Sequence, residues 1–456
     1  MITHGDLEPR PRTGRIISAS TSLMGLLPTP AIACVAGLLL SPGTAQAHEE
    51  DAVGRVPDYV LYRPTTMPDR IVLCWSGDPA TTQAVNWRTD ASVINAVGQV
   101  ARAGDGPGFV GQAQTVKATT VRLDTDLGPA HYHAVSFTDL SPETTYAYRV
   151  GDGINWSEWI HFRTASTEPK PFTFVYFGDA QNDIKSLWSR VVREAYRDAP
   201  RAAFLLHAGD LVDVANSDGQ WGEWFYAGAF IHRSIPCVAT PGNHEYAEGL
   251  SRHWRPTFSF PLNGPEGLEE TAYYFDYQGA RIVSLNCIEN RDAQVPWLEQ
   301  LLSENKQSWT ILTFHYPIYS AAKERDNPEL RDLWQPIFDR FKVDLVLQGH
   351  DHTYARSGLM SHENVAAGIT ERSEAGTLYV VSVSGPKMYQ SNDKPIMRKT
   401  GESLQLYQII TIDGDELRYE ARTATSRLYD AFTLRKRPGR VNELIERRPH
   451  DTANAQ

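Results

Sequence analysis

Two hydrophobic patterns divide the chain near residue 167. Over residues 56–164 the apolar positions come in short runs. Residues 83–89 alternate apolar and polar, residues 132–137 do so in part, and residues 70–75 form one apolar run. Alternation marks a strand with one buried face. Gly77-Asp78-Pro79, Gly104-Asp105-Gly106-Pro107-Gly108 and Gly151-Asp152-Gly153 punctuate these runs as turns. Roughly seven strands in about a hundred residues predict an all-β sandwich over 56–166. Residues 164–171 read as a short polar linker. Beyond it the pattern changes. Residues 172–177 are continuously apolar, as in a sheet covered on both faces. Helical stretches at 184–195, 295–304 and 330–341 alternate with strands at 203–206, 281–285, 309–314 and 345–347. That order predicts an α/β domain over 170–435, with further strands at 377–384 and 404–421. Residues 436–456 are charged and Pro-bearing, and a loose tail is expected there.

Residues 1–47 read as an address rather than as fold. Arg10, Arg12 and Arg15 precede an apolar stretch over 23–40, and Thr44-Ala45-Gln46-Ala47 ends in the small-x-small pattern of a secretory signal. Cleavage after Ala47 is expected, and with it a secreted or periplasmic location. No other apolar stretch is long enough to span a bilayer. Composition adds one exclusion. Of the 456 residues, 44 are Lys or Arg and 55 are Asp or Glu, a net charge of −11, which disfavours broad nucleic-acid or anionic-membrane binding. Three cysteines follow the signal: Cys74, Cys237 and Cys287. An odd, sparse set is no disulfide framework. Buried thiols are expected, with a Cys237–Cys287 bridge as the alternative.

The candidate chemistry sits where apolar strands of the second domain end. Those ends carry Gly178-Asp179-Ala180-Gln181, His207-Ala208-Gly209-Asp210-Leu211-Val212-Asp213, Pro241-Gly242-Asn243-His244-Glu245, His315-Tyr316-Pro317 and Gln348-Gly349-His350-Asp351-His352. In open α/β sheets, ligand groups cluster outside the carboxyl ends of strands. Five distant segments would therefore converge on one rim. Carboxylate, amide oxygen and imidazole together suit Zn, Fe or Mn. Four ligands would serve one zinc; this larger set suits two ions, about 3.5–4 Å apart with a shared carboxylate. A Gly-Asp after a strand is commonly just a turn, and an Asn-His-Glu commonly a helix cap. Their joint occurrence in one order outweighs those readings.

The motif set from Asp179 to His352-Thr353-Tyr354 resembles the calcineurin-like metallophosphoesterase superfamily. Its pairing with the front sandwich is similar to purple acid phosphatases. Residues 140–150 also resemble the tyrosine-corner segment of fibronectin type III domains, with Trp87 as the core tryptophan and 161–164 as the last strand. The resemblance implies that Asp179, Asp210 and His352 bind a first metal and that Asp210 bridges. Asn243, His315 and His350 would bind the second, and His244 would face substrate as the catalytic residue. The sequence departs from that family in three places. Asp213 stands where the colour-giving tyrosine is expected, so no purple colour is implied. Gln181 stands where a histidine is common, which makes Gln181 and Asp213 candidate extra ligands. Residues 317–328 hold none of the substrate-facing histidines of the plant enzymes. Glu245 and Asp351 are candidate carboxylates that orient the imidazoles, Tyr246, Tyr316, Tyr354 and Arg356 candidate rim residues, and Lys387, after Ser384-Gly385-Pro386, a candidate for phosphate contact.

The expectation is a dinuclear phosphoesterase whose two divalent or trivalent ions (Fe, Zn or Mn) present hydroxide to a small phosphate monoester. The alternatives are a phosphodiesterase acting on nucleotides or lipid head groups, and a non-catalytic surface protein with a vestigial site. The complete donor set argues against the last of these.

Overall fold

The computed structural model describes residues 54–361, 376–392, 394–437 and 439–447. The expected signal over 1–47 lies outside them. The front sandwich has eight strands: β1 (Asp69–Cys74), β2 (Gln83–Asp90), β3 (Val97–Arg102), β4 (Gln114–Lys117), β5 (Thr119–Thr125), β6 (Gly128–Phe137), β7 (Thr145–Gly151) and β8 (Ile160–Arg163). They form two four-stranded sheets, β1-β2-β6-β5 and β4-β3-β7-β8, all antiparallel. Trp87 is buried between them with Val85, Val100, Tyr148 and Phe162. The Tyr146 hydroxyl accepts the Ser141 N–H at 2.8 Å, which ties the strand to the turn before it as a tyrosine corner does. Trp156 and Trp159 hold the Arg149 guanidinium 4.2 and 4.7 Å from their rings.

The second region stacks two seven-stranded sheets. One contains β9 (Phe172–Phe177), β10 (Leu205–His207), β11 (Cys237–Ala239), β19 (Leu406–Asp413), β20 (Glu416–Thr423), β21 (Leu428–Arg435) and β22 (Glu443–Arg447), in the order β11-β10-β9-β19-β20-β21-β22. The other contains β12 (Tyr273–Tyr277), β13 (Ala280–Ser284), β14 (Trp309–Thr313), β15 (Leu345–Gln348), β16 (Tyr354–Met360), β17 (Thr377–Val381) and β18 (Met397–Gly401), in the order β12-β13-β14-β15-β17-β16-β18. Strands β9, β10 and β11 run parallel, as do β13, β14, β15 and β17. These are the continuously apolar segments, buried on both faces. By contrast β20 alternates residue by residue, as a strand with one covered face should. Helices Ser189–Asp198, Asp218–Gly228, Gln294–Ser303 and Pro328–Phe341 cover the sheets. Among the described residues no helix is long and apolar enough to cross a membrane.

Two sequence expectations are corrected here. The tail is not loose throughout: β22 pairs with β21, and Glu446 accepts both terminal nitrogens of Arg356 at 3.0 and 2.7 Å. Tyr354 and Arg356 are not rim residues. They are buried, with Arg356 clamped on Asp430 and the Tyr354 hydroxyl 2.8 Å from the same carboxylate. The sandwich and the second domain, which meet near 167 as expected, pack tightly against each other. Val72, Cys74, Trp75 and Ala84 of the sandwich share a core with Phe172, Phe204 and Tyr277. Trp75 stands 5.4–5.9 Å from the rings of Phe204, Phe275 and Tyr277. Cys74, Cys237 and Cys287 are free and buried, as favoured from sequence, and no Cys237–Cys287 bridge forms.

That shared core makes the front sandwich a structural requirement. A chain lacking residues 48–165 is expected to lose the aromatic packing around Trp75 and to be recovered as aggregate. Gel filtration of the soluble fraction checks this. A monomeric, cooperatively melting fragment would show that the sandwich is dispensable.

Candidate metal centre

The ligand-bearing residues leave their strands through sharp backbone turns. Asp179 follows β9 with φ 30°, Asp210 follows β10 with φ 52°, and His350 follows β15 with φ 72°. Left-handed backbone is uncommon for such residues and is held only where the surroundings impose it. The glycines beside them are fixed by space. A Cβ on Gly242 would stand 2.2 Å from Asp210 Oδ1, and one on Gly349 would stand 2.6 Å from Asp179 Oδ2. The side chains that would be crowded are the candidate ligands themselves.

The donor atoms fall into two groups that share one residue. Asp179, Asp210 and His352 bring one donor each to within 4.8 Å of one another, and so do Asp210, His315 and His350. His315 Nε2 lies 3.0 Å from Asp210 Oδ2, 3.2 Å from Asn243 Oδ1 and 3.2 Å from His350 Nδ1. Asn243 therefore joins the second group. His352 Nε2 lies 3.7 Å from Asp179 Oδ1 in the first. Backbone carbonyls orient two imidazoles. His315 Nδ1 donates to Ala208 O at 2.8 Å and His352 Nδ1 to Lys387 O at 2.9 Å, which turns each Nε2 toward the carboxylates.

Gln181 and Asp213 part company. The Gln181 amide is buried inside the first group, with Nε2 3.0 Å from His352 Nε2 and 3.2 Å from Asp210 Oδ2. Its Oε1 is buried without a hydrogen-bond partner among the described residues. Rotation of the amide by 180° puts that oxygen where the nitrogen now stands, facing the same donors. Asp213 turns the other way. Its carbonyl accepts from His244 Nδ1 at 2.6 Å and its carboxylate is 3.5 Å from the same nitrogen. It is a partner of His244 and is not among the converging donors. The His244 backbone N–H donates to Asp210 Oδ1 at 2.9 Å, and the half-buried ring presents its Nε2 edge away from Asp213.

Electrostatics match a site built for cations. Burial first, and the Asp210 charge with it, push the Asp179 carboxyl well above the usual range. Burial alone would raise Asp210 too, but the His315 charge and hydrogen bond hold it below the usual range. Burial opposes the charge on His315, yet Asp210 raises it to about 9. Two buried carboxylates at one point need positive charge, and His315 alone supplies it for one. With carboxylate, imidazole and amide donors in two groups sharing Asp210, and an orphaned amide oxygen beside them, the residues fit two metal ions.

Glu245 and Asp351 do not orient imidazoles, contrary to expectation. Glu245 is buried and accepts backbone N–H groups of Asp210 (2.8 Å), Leu211 (2.7 Å), Val212 (3.3 Å) and Gly242 (2.8 Å), so it shapes the two loops that carry Asp210 and Asn243. Asp351 is buried too. It accepts the Ser320 hydroxyl and lies 3.1 Å from Arg325 Nε. Glu245→Gln sets an NH₂ group against at least one of those amides. Metal affinity is expected to fall about 10–100-fold with the fold intact, as read from metal retained during chelator titration.

Sequence reasoning missed Arg325. Its Nη2 donates to His350 Nε2 at the edge of the second group. No motif marks it; only its being a cation in the loop after His315 could have. Tyr316 does sit at the site, its ring 4.2 Å from that of His350, whereas Tyr246 bonds Glu289 and Asn286. A third donor group, His207, His232 and Cys237, is walled in by Trp188 and Trp224. Burial drives the His207 imidazole down to about 3 and that of His232 well below its usual value, so both pack as neutral rings.

Residues 172–354, which carry this strand-end site, match the family model described as calcineurin-like phosphoesterase. Residues 68–164 match the model of the purple acid phosphatase N-terminal domain, so the chain joins the two domains as purple acid phosphatases do. Acid phosphatase type 7 of Danio rerio is 29% identical over 263 residues, 50% of this chain and 57% of the relative. The Fe(3+)-Zn(2+) purple acid phosphatase 12 of Arabidopsis thaliana is 25% identical over 283 residues, 56% and 59%. The match thus spans less than two thirds of the length of these relatives. In fold, a purple acid phosphatase from yellow lupin seeds superimposes with a TM-score of 0.67 at 20% identity, over 81% of this chain and 74% of its own. A structure of PhoD gives 0.63 at 13% identity, over 86% and 96%.

Proposed function

We propose that the chain is a metal-dependent phosphoric ester hydrolase acting on small phosphate monoesters, exported by its first 47 residues. The observation that carries this is the sharing of Asp210 between two convergent donor groups. The Fe(3+) and Zn(2+) in the name of the Arabidopsis relative support a dinuclear centre here, held by Asp179, Gln181, Asp210 and His352 on one side and by Asp210, Asn243, His315 and His350 on the other. Bound there, two such ions supply Lewis acidity toward phosphoryl oxygens and a hydroxide nucleophile near neutral pH. The chain's own residues do the rest. Asp210, fixed by the His244 N–H and the Glu245-bound loop, sets the spacing of the two groups. His244, with Nδ1 anchored on the Asp213 carbonyl, offers Nε2 to the phosphoryl group or to the leaving oxygen, as a donor that stabilises or protonates it.

Elemental analysis of the purified protein, paired with turnover of para-nitrophenyl phosphate and its bis ester, tests this reading. About two metals per chain with faster monoester turnover is the expected result. Preference for the bis ester would replace the monoesterase with a diesterase. Absence of metal after reconstitution would leave only a binding protein. The export reading is tested separately, by a mature amino terminus at His48.

A further inference from the structure

The second donor group is overlooked by a cation in a chain of net charge −11. Arg325 donates through Nη2 to His350 Nε2, and its Nε lies 3.1 Å from Asp351 Oδ1. Asp351 is buried and is itself held by the Ser320 hydroxyl, so the guanidinium is aimed rather than free. Its central carbon stands 5.3 Å from the Tyr389 ring, and Lys387 Nζ stands 5.9 Å from the same ring. Tyr389 in turn packs 4.7 Å from His352. Two cations therefore stand near one aromatic ring, beside the two histidines of the Gly349-His350-Asp351-His352 motif. Among the described residues no acceptor engages Arg325 Nη1, and the side chain is 31% exposed. A guanidinium has five N–H donors in a fixed fork, and those turned from Asp351 and His350 are left for a ligand.

From this geometry we infer an oxyanion subsite in which Arg325 clamps the terminal phosphate of a monoester and Lys387, near the same Tyr389 ring, adds charge. The inference rests on the phosphoesterase reading above and names its substrate class. A phosphate monoester carries close to two negative charges and three non-bridging oxygens near pH 7. A diester carries one charge and two such oxygens. The extra oxygen and charge are what a forked cation at the rim recognises, through short charge-assisted hydrogen bonds. Arg325 thereby sets the preference for monoesters.

The test uses the full mature chain, with metal content, inorganic phosphate binding and kcat/KM for both para-nitrophenyl esters measured on each protein. Arg325→Ala is expected to keep the parent's metal. It should bind inorganic phosphate about 10–100-fold more weakly. Its kcat/KM for the monoester should fall by a similar factor, while the bis ester changes less than about threefold. Arg325→Lys should recover part of both losses, since it keeps the charge without the fork. Unchanged phosphate affinity, or equal losses on both esters, overturns the clamp. Loss of metal overturns it as well, since Arg325 would then only hold His350 in place. If Arg325→Ala does not fold, Arg325→Lys carries the same comparison, with a selective monoester loss supporting the clamp and none refuting it. Should the parent turn over neither ester, the phosphoesterase reading falls on its own, and the phosphate titration of parent against variant still decides the subsite.

Discussion

Asp210→Ala is expected to empty the centre of metal and abolish turnover in one step. Asp210 belongs to both donor groups, lies 3.0 Å from His315 Nε2 and accepts the His244 N–H at 2.9 Å. Its removal leaves two sites each short of an anionic ligand. Activity should fall by on the order of 10⁴-fold or more. Asp210→Asn keeps the shape and tests charge alone, and is expected to behave nearly as badly. His244→Ala is the contrast. Its imidazole is anchored on the Asp213 carbonyl and is no member of either donor group, so metal content should stay at the parent's value while the rate drops about 10²–10⁴-fold. Elemental analysis beside steady-state kinetics separates the two cases. An Asp210→Ala protein that retained both ions would remove the bridge, and a His244→Ala protein that lost them would make His244 a ligand.

The second large effect lies away from the chemistry. Asp218 opens the helix Asp218–Gly228 and is buried against the front sandwich. It accepts Arg70 at 2.7 and 2.9 Å, Arg88 at 3.1 Å and His253 Nε2 at 3.2 Å. Arg70 and Arg88 come from β1 and β2, so one carboxylate joins the two halves of the molecule. Asp218→Ala leaves the buried Arg70 guanidinium without a carboxylate, while Arg88 keeps Asp69 at 2.9 and 2.7 Å, and the loss is about 3–5 kcal/mol. Such a loss is a large fraction of the stability of most folded proteins. The urea unfolding midpoint reads it, and a shift under about 1 kcal/mol would show that water takes the place of the carboxylate.

The same contact carries a pH signature. Burial alone would raise the Asp218 carboxyl, but the hydrogen bond to His253 and the charges of Arg70 and Arg88 hold it well below its ordinary 3.8. A depressed native value means that the unfolded chain binds this proton first as the pH falls. The contribution is therefore whole above pH 3.8 and is lost as the pH drops toward the depressed native value. The stability gap between the parent and Asp218→Asn should be widest near neutrality and should narrow below pH 3.8.

Several parts of this protein were legible in the bare chain, and they share a physical cause. Strands β9, β14 and β15 are continuously apolar because both faces are covered, and that pattern survives in one dimension. Asp179, Asp210, Asn243, His315, His350 and His352 each follow an apolar strand or stand within two residues of one that does, so sequence order alone places them on one rim. The tyrosine corner and the buried Trp87 were readable for the same local reason.

What the chain could not show depends on which distant segments meet. Glu245 looked like a partner for imidazoles. Only the folding of the 210–212 and 242–245 loops against each other turned its carboxylate onto four backbone amides. Asp213 and Gln181 were equal candidates on paper, until the strand exits aimed one at His244 and buried the other among the candidate ligands. Tyr354 and Arg356 read as rim residues until β21 and β22 brought Asp430 and Glu446 over them. Arg325 carried no motif at all, and acquires meaning only because Asp351, 26 positions later, is buried beneath it. Periodicity and strand-end chemistry are properties of neighbours along the chain and are written in its order. The partner of a buried charge is chosen by tertiary packing, because desolvation makes a charge costly wherever no opposite group happens to arrive.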